Sequence, residues 1–184
     1  MNSPTDHVLM MDVRNGDVAK LGILFERYHR RLFNFYVRMT GNRTLSEDLV
    51  QDVFFRMLKY RGTYKDKSVF TTWMYQIARN ARFDHSRKHK GEATLDGQEE
   101  TANQEPILEA TISQNQEAQL LRDALLKLTR EKREVLVLSR FQDMKYEQIA
   151  ELVGCDPGTV KTRVHRALKD LREIFFELSG RKAS

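Results

Sequence analysis

Residues 145–172, KYEQIAELVGCDPGTVKTRVHRALKDLR, read as two short helices around a tight turn. The first, 146–153, sets Ile149, Leu152 and Val153 on one side. Gly154 can take the positive φ that ends a helix. Asp156 is a suitable N-cap, and Pro157 stands where a first helical residue has no use for its N–H. In the second helix Val160, Val164, Ala167, Leu168 and Leu171 recur at helical spacing. The far face carries Thr159, Thr162, His165, Arg166 and Lys169, flanked by Lys161 and Arg163. Five Lys/Arg stand against two Asp between Asp156 and Arg172. An apolar inner stripe, a basic outer face and a glycine turn are the requirements of a DNA-reading helix-turn-helix. An ordinary solvated hairpin shares the charge, but not three interlocking positions. Ala150 is small enough for close approach, Gly154 makes the turn, and Val160 plugs the angle between the helices.

Upstream, Ala118–Leu128 repeats Leu120, Leu121, Ala124, Leu125 and Leu128. Thr129 then caps REKREVLVLSRF, whose apolar side is Val135, Leu136, Leu138 and Phe141. These two helices support the motif; the tail after Leu178 is polar and basic. Before them the composition changes sharply. Gly91–Glu117 holds seven Asp/Glu and no Lys/Arg, lacks sustained periodicity and contains Pro106. It reads as a flexible acidic linker, with Ile107, Leu108 and Ile112 as a brief docking turn. Extended, it would reach about 90 Å; as a relaxed coil, about 30 Å. The expected fold is all-α: two small helical domains, 1–90 and 118–184, joined by the linker 91–117.

In the N-terminal part, residues 1–16 are weakly patterned and Asn15-Gly16-Asp17 signals a turn. A helix over Asp17–Thr40 follows, with Leu21, Leu24, Phe25, Tyr28, Leu32, Tyr36 and Met39 inside and Gly41-Asn42 at its end. Thr44 and Glu47 form a capping box for a second helix. Leu45, Leu49, Val53 and Met57, widened by Phe54 and Leu58, are its core face. Asp48, Gln51, Asp52 and Phe55 lie off that face. They suit either a protein contact or plain solvated charge, and spacing alone favours the second. Residues 61–68 read as a loop. A third helix, 70–89, turns Trp73, Ile77, Ala81 and Met74 inward. From Arg79 to Lys90 five Lys/Arg face one Asp, with Asn80 a neutral donor and acceptor among them. Such a helix, beside a loop with Tyr64 and Phe70, could hold single-stranded DNA, phosphates on cations and a base on an aromatic ring. Phe70, like Trp73, also suits a core. His85 and His89 have zinc-ligand spacing but no third ligand, so no metal is expected.

The whole chain of 184 residues carries a net charge of +5, with 31% charged and 40% hydrophobic residues. An acidic partner such as DNA fits that balance. Cys155 is the only cysteine, so no internal disulfide can form and a reducing compartment fits. Neither a signal peptide nor a membrane-spanning run is visible, and a cytoplasmic location is expected. There is no Gly-rich phosphate loop and no paired nucleophile and base. No catalytic residue, enzyme activity or cofactor is therefore assigned.

Three stretches in this order, EDLVQDVFFRML, FTTWMYQIARNARFDHSRK and LTREKREVLVLSRFQDMKYEQIAELVGCDPGTVKTRVHRALKDLR, resemble the extracytoplasmic-function (ECF) sigma factors of bacteria. The resemblance spans about 17–90 and 118–178. It implies an alternative sigma factor that directs RNA polymerase to specific promoters and supports their melting. It reverses the spacing-only reading of the second helix: Asp48, Gln51 and Asp52, with Phe55, match positions at the coiled coil of the β′ clamp. The loop Tyr64–Ser68, including Lys67 and Ser68, matches the pocket for a flipped −10 base, with Phe70 beside it. Asn80, Arg79, Arg82 and Arg87 match the strand-binding helix. Thr159, Lys161, Thr162, Arg163, Arg166 and Lys169 match the −35-reading surface. The resemblance also implies an anti-sigma factor as a partner. Two features depart from the family pattern. Thr129 stands where many members have proline, and Asp156-Pro157 after Cys155 bears on which −35 sequence is preferred. An autonomous repressor would need a dimerisation surface, and no heptad or second apolar face supplies one. A purely protein-binding module would not need two intact basic helices.

Overall fold

A computed structural model of the chain describes residues 4–93 and 112–180, the side chains of 89–93 and 112–115 excepted. All regular structure among them is helical. In order come α1 (Asp6–Arg14), α2 (Lys20–Thr40), α3 (Arg43–Lys59), a 3-10 turn (Arg61–Thr63), α4 (Phe70–Ala93), α5 (Ile112–Lys127), α6 (Arg130–Arg140), α7 (Tyr146–Val153) and α8 (Pro157–Ser179). Packing divides the chain into two compact units, Met1–Asn34 with Thr44–Thr101, and Phe35–Arg43 with Ala102–Ser184. Helix runs over 91–93 and 112–117, the two ends of the expected linker; its remainder, with Ile107 and Leu108, lies outside the described residues.

In the first unit α1 is a helix that periodicity alone passed over. Thr5 caps it by accepting from the backbone N–H of Val8, and Leu9, Met10 and Val13 are buried. Asp6 fastens it to α2 through Arg27 (2.7 Å) and the Tyr28 hydroxyl. Next, α2 begins at Lys20 rather than Asp17, because Val18 and Ala19 complete the turn. Leu24, Tyr28 and Leu32 are buried, whereas Phe25 stays partly exposed, its ring edge-on to Phe54 at 4.9 Å. Gly41, at φ +72°, ends α2, and α3 begins at Arg43. Thr44 therefore lies inside the first turn of α3, not at its N-cap. The buried face of α3 is Leu49, Val50, Val53, Phe54 and Met57; Leu45 and Leu58 are half-buried at its edges. On α4, Met74, Tyr75, Ile77, Ala78 and Ala81 are buried. Trp73, expected inside, is half-buried, because its indole N–H reaches the Thr63 hydroxyl at 3.2 Å.

In the second unit α8 packs on α5, α6 and α7. Thr129 stands at the N-cap of α6, but its hydroxyl makes no capping bond. Arg133 instead closes the α5–α6 junction, donating to the carbonyl oxygens of Leu125 (2.8 Å) and Leu128 (3.0 Å). Burial lowers the pKa of that guanidinium. Helix α7 opens with the backbone N–H of Lys145 donating to Gln148 Oε1 at 2.9 Å. It closes at Gly154, φ +70°, where the N–H groups of Gly154 and Cys155 both donate to the Ala150 carbonyl. Asp156 caps α8 by accepting from the Thr159 N–H at 2.8 Å, with Pro157 at its first position. Val160, Val164 and Ala167 are buried, as is Ala150 beneath them. Burying a valine fully is worth about 1.5–3 kcal/mol, so Val160 is a substantial part of the joint. Leu168 is exposed, because the buried strip of α8 is narrower than the apolar one. A Cβ placed on Gly154 would meet no atom, so only the left-handed backbone resists substitution. Gly154→Ala is expected to destabilise this unit by about 1 kcal/mol in thermal unfolding, and Gly154→Asn by less.

Candidate nucleic-acid interfaces

The outer face of α8 is set by what fixes the helix about its axis. The Val160–Val164–Ala167 strip is pressed inward, and Asp170 is ion-paired with Lys132 of α6. Arg163 lies two turns before Asp170 on the same edge, which faces α6 and leaves Arg163 half-buried. Lys161, Thr162, His165, Arg166 and Lys169 are exposed. Two hydroxyls have spent their protons locally: Thr159 donates to the Asp156 carboxylate, and Thr162 donates to the Gly158 carbonyl at 3.0 Å. Both remain acceptors. That suits the amino edges of cytosine and adenine. Those bonds from the Thr159 hydroxyl and N–H hold the Asp156 carboxyl below the usual carboxylate range. The N-cap thus stays charged at neutral pH.

The first unit has a second basic surface along α4. Arg87 is exposed and lies 3.1 Å from Asp84. Asn80 is exposed, its side-chain oxygen accepting from Gln76 at 3.2 Å, so its amide N–H groups point to solvent as donors. Arg79 is half-buried, its guanidinium 5.6 Å from the Phe83 ring. Arg82 is buried, at 6% exposure, and shows little of its guanidinium to solvent. The reason is periodic: Tyr75, Ala78 and Arg82 fall on one buried stripe of α4. A cleft of about 440 Å³ opens between α3 and α4, lined by Arg56, Tyr60, Ile77, Asn80, Phe83 and Asp84. His89, the second histidine of the zinc-like pair, is among the residues whose side chains are not described.

The loop before α4 is tightly pinned. Tyr64 is wholly buried, edge-on to Trp73 at 5.1 Å, and its hydroxyl donates to the Ser68 carbonyl at 3.1 Å. Burial pushes its phenol pKa up to about 12. Phe70 is buried beside it, so neither ring offers a free platform to a base. Their packing with Trp73 was beyond reach of spacing because it joins residues from different elements. Ser68 is half-buried, with its hydroxyl accepting from the Lys65 N–H at 3.3 Å. What the loop shows to solvent is Lys65, Asp66, Lys67 and Val69.

On α3, Asp48 and Gln51 are exposed, and Phe55 is 64% exposed, a large apolar ring left mostly uncovered by its own chain. Asp52 is less free. Arg56 donates to it at 2.9 Å and to Asp84 of α4 at 2.7 Å. Partial burial works to lower the Arg56 pKa, but the two carboxylates outweigh it and hold it above its ordinary value. The same hydrogen bond from Arg56 lowers Asp84. Sequence reasoning missed Arg56. Its spacing from Asp52 was readable as a helical ion pair; its reach to Asp84 was not.

Comparison with known proteins places both units. Residues 24–92 match the Sigma-70 region 2 family, and residues 118–171 match Sigma-70, region 4. The RNA polymerase sigma factor CarQ of Myxococcus xanthus is 34% identical over 165 residues, 90% of this chain and 94% of that protein. The ECF RNA polymerase sigma factor SigW of Bacillus subtilis is 28% identical over 178 residues, 90% of this chain and 94% of its own length. Among solved structures, the sigma factor RpoE from Bartonella quintana, in complex with the anti-sigma factor NepR, superposes with a TM-score of 0.72. It is 25% identical, covering 83% of this chain and 94% of that one. CnrH, in complex with the cytosolic domain of CnrY, shares the fold at a TM-score of 0.69 and 23% identity, covering 90% and 94% of the two chains.

Proposed function

This chain belongs to the ECF sigma factors of the sigma-70 family, non-enzymatic subunits that bind RNA polymerase and direct it to promoters, and from that premise we propose how its faces divide the work. The α3 face of Asp48, Gln51, Asp52 and Phe55 binds the β′ clamp of the core enzyme. The exposed edge of α4 and the loop before it hold the melted −10 strand: Asn80 donates to a base, Lys67 and Arg87 meet phosphates, and Ser68, Tyr64 and Phe70 shape the loop. Arg79, half-buried beside Phe83, lies toward a phosphate at the rim of that surface, with the buried Arg82 behind it. The outer face of α8 enters the major groove at −35, with Thr159, Thr162 and Arg166 toward base edges and Lys161, Arg163 and Lys169 toward phosphates. The supporting observation is that two separately packed units each carry their own exposed basic helix.

The RpoE relative is bound by an anti-sigma factor. We extend that class of partner to this chain, where it would cover the clamp face and the DNA faces. No helix among the described residues is long and apolar enough to cross a membrane. We place the protein in the cytoplasm with the polymerase.

Holoenzyme binding to a library randomised at both promoter elements tests the division. Asn80→Ala is expected to change the base preference at −10 and leave −35 alone. Lys161→Ala is expected to weaken all −35 sequences alike and lower the salt slope by about one. A change at −35 from Asn80→Ala would overturn the assignment.

A further inference from the structure

Helix α1 lies before residue 24, where the match to Sigma-70 region 2 begins. It is nevertheless built into the first unit. Leu9, Met10 and Val13 are fully buried, and Asp6 is held by Arg27 and Tyr28 of α2. This seating puts His7 against the loop before α4. One ring nitrogen, Nδ1, lies 2.9 Å from the Tyr64 hydroxyl, and the other, Nε2, lies 3.4 Å from an Asp66 carboxylate oxygen. The imidazole ring is also 5.7 Å from the Tyr64 ring. Tyr64 is wholly buried and Asp66 is 82% exposed, so His7 joins the anchored end of the loop to its solvent-facing tip.

We propose that α1 is a brace for the −10 loop, and that His7 is a positioning residue for −10 base selection, aiming the Asp66 carboxylate at the unstacked strand. The proposal rests on the assignment of this loop to the −10 strand. The chemistry follows from the groups present. Between Lys65 and Lys67, an unheld aspartate would turn toward either ammonium group. With both ring nitrogens of His7 protonated, Nδ1–H donates to the Tyr64 oxygen, whose own proton goes to Ser68, and Nε2–H holds the Asp66 carboxylate, which offers acceptor oxygens beside a strand whose phosphates those lysines attract. A carboxylate accepts from an exocyclic amino group and repels a carbonyl edge, so it favours cytosine or adenine over thymine at the base it meets. A residue outside the matched family region thereby sets part of the sequence preference.

The test uses the full chain assembled with core polymerase. Forked promoter probes present the −10 strand single-stranded, with each base varied in turn. Wild type is expected to prefer cytosine or adenine over thymine at one −10 position. Asp66→Asn is expected to reduce that preference about fivefold. His7→Ala should reduce it comparably, with core affinity within about twofold of wild type, −35 preference unchanged, and partial recovery in His7→Gln. A purely structural histidine would weaken all probes alike and leave the base ratio untouched; that result overturns the proposal. Asp66 is so exposed that Asp66→Asn cannot act by unfolding, and an unchanged ratio in that variant overturns it independently. Asn80→Ala separates the two levels. If it alters −10 preference while His7→Ala and Asp66→Asn do not, the brace fails and the −10 surface stands. If none of the three alters it, the assignment of the loop to the −10 strand fails.

Discussion

Phe55→Ala is expected to weaken binding to core RNA polymerase by about thirtyfold, with helical content and melting temperature unchanged. Phe55 is 64% exposed, so its removal strips almost nothing from the fold. A ring left in water by its own chain gains most when a partner buries it, and aromatic anchors ringed by polar residues dominate interface energetics. Asp48 and Gln51 are exposed on the same helix and supply such a rim. Asp52→Ala has a different expected signature. It removes one of the two carboxylates holding Arg56, and the loss should be smaller and partly shared by −10 binding, because Arg56 also grips Asp84 of α4. Equilibrium titration of labelled core enzyme, with circular dichroism as the check on folding, measures both. Affinity unchanged by Phe55→Ala would remove the clamp assignment from this face.

Arg166→Ala is expected to flatten preference at one or two −35 base pairs, by about 1–3 kcal/mol of discrimination. Arg166 is exposed on the side of α8 turned away from Val160, Val164 and Ala167, whereas Arg163 is half-buried on the edge facing α6. A guanidinium that reaches a guanine edge bidentately discriminates, whereas one on a phosphate does not. The Lys132–Asp170 pair makes the placement testable a second way. Asp170→Asn loosens the grip on α8 without touching the outer face. It should lower affinity modestly while keeping the order of preferred sequences. Binding across a −35 library at two stated salt concentrations reads both effects. If Arg166→Ala weakens every sequence equally, α8 is rotated from this placement and Arg163 is the residue at the bases.

How much was legible in the sequence depended on how local the signal was. The turn from α7 to α8 was readable because Gly154, Asp156 and Pro157 each impose a backbone preference within a few residues, and all three agree. Spacing captured the buried strips of α3 and α8 in outline. It failed at Leu168, where the packed strip is narrower than the apolar one. Helix α1 was passed over because three buried residues make too short a stripe to stand out, although Thr5 was a cap signal beside it. Tyr64 was read as an open ring, Phe70 as either a platform or core, and Arg82 as one of the cations along the strand. Which ring ends up covered, or which cation falls on an inner stripe, is decided by what packs over it from other elements. The Arg56–Asp84 pair and the His7 bridge also join separate elements, and no single-helix period contains them.

The most direct measurement is run-off transcription by core polymerase on a fully randomised promoter library, with and without this protein, followed by sequencing of the productive templates. Transcripts that depend on the protein are expected, from templates sharing two short elements at a fixed separation, the upstream one blurred by Arg166→Ala and the downstream one by Asn80→Ala. Productive templates identical with and without the protein, or templates sharing a single element altered by both substitutions, would contradict that expectation.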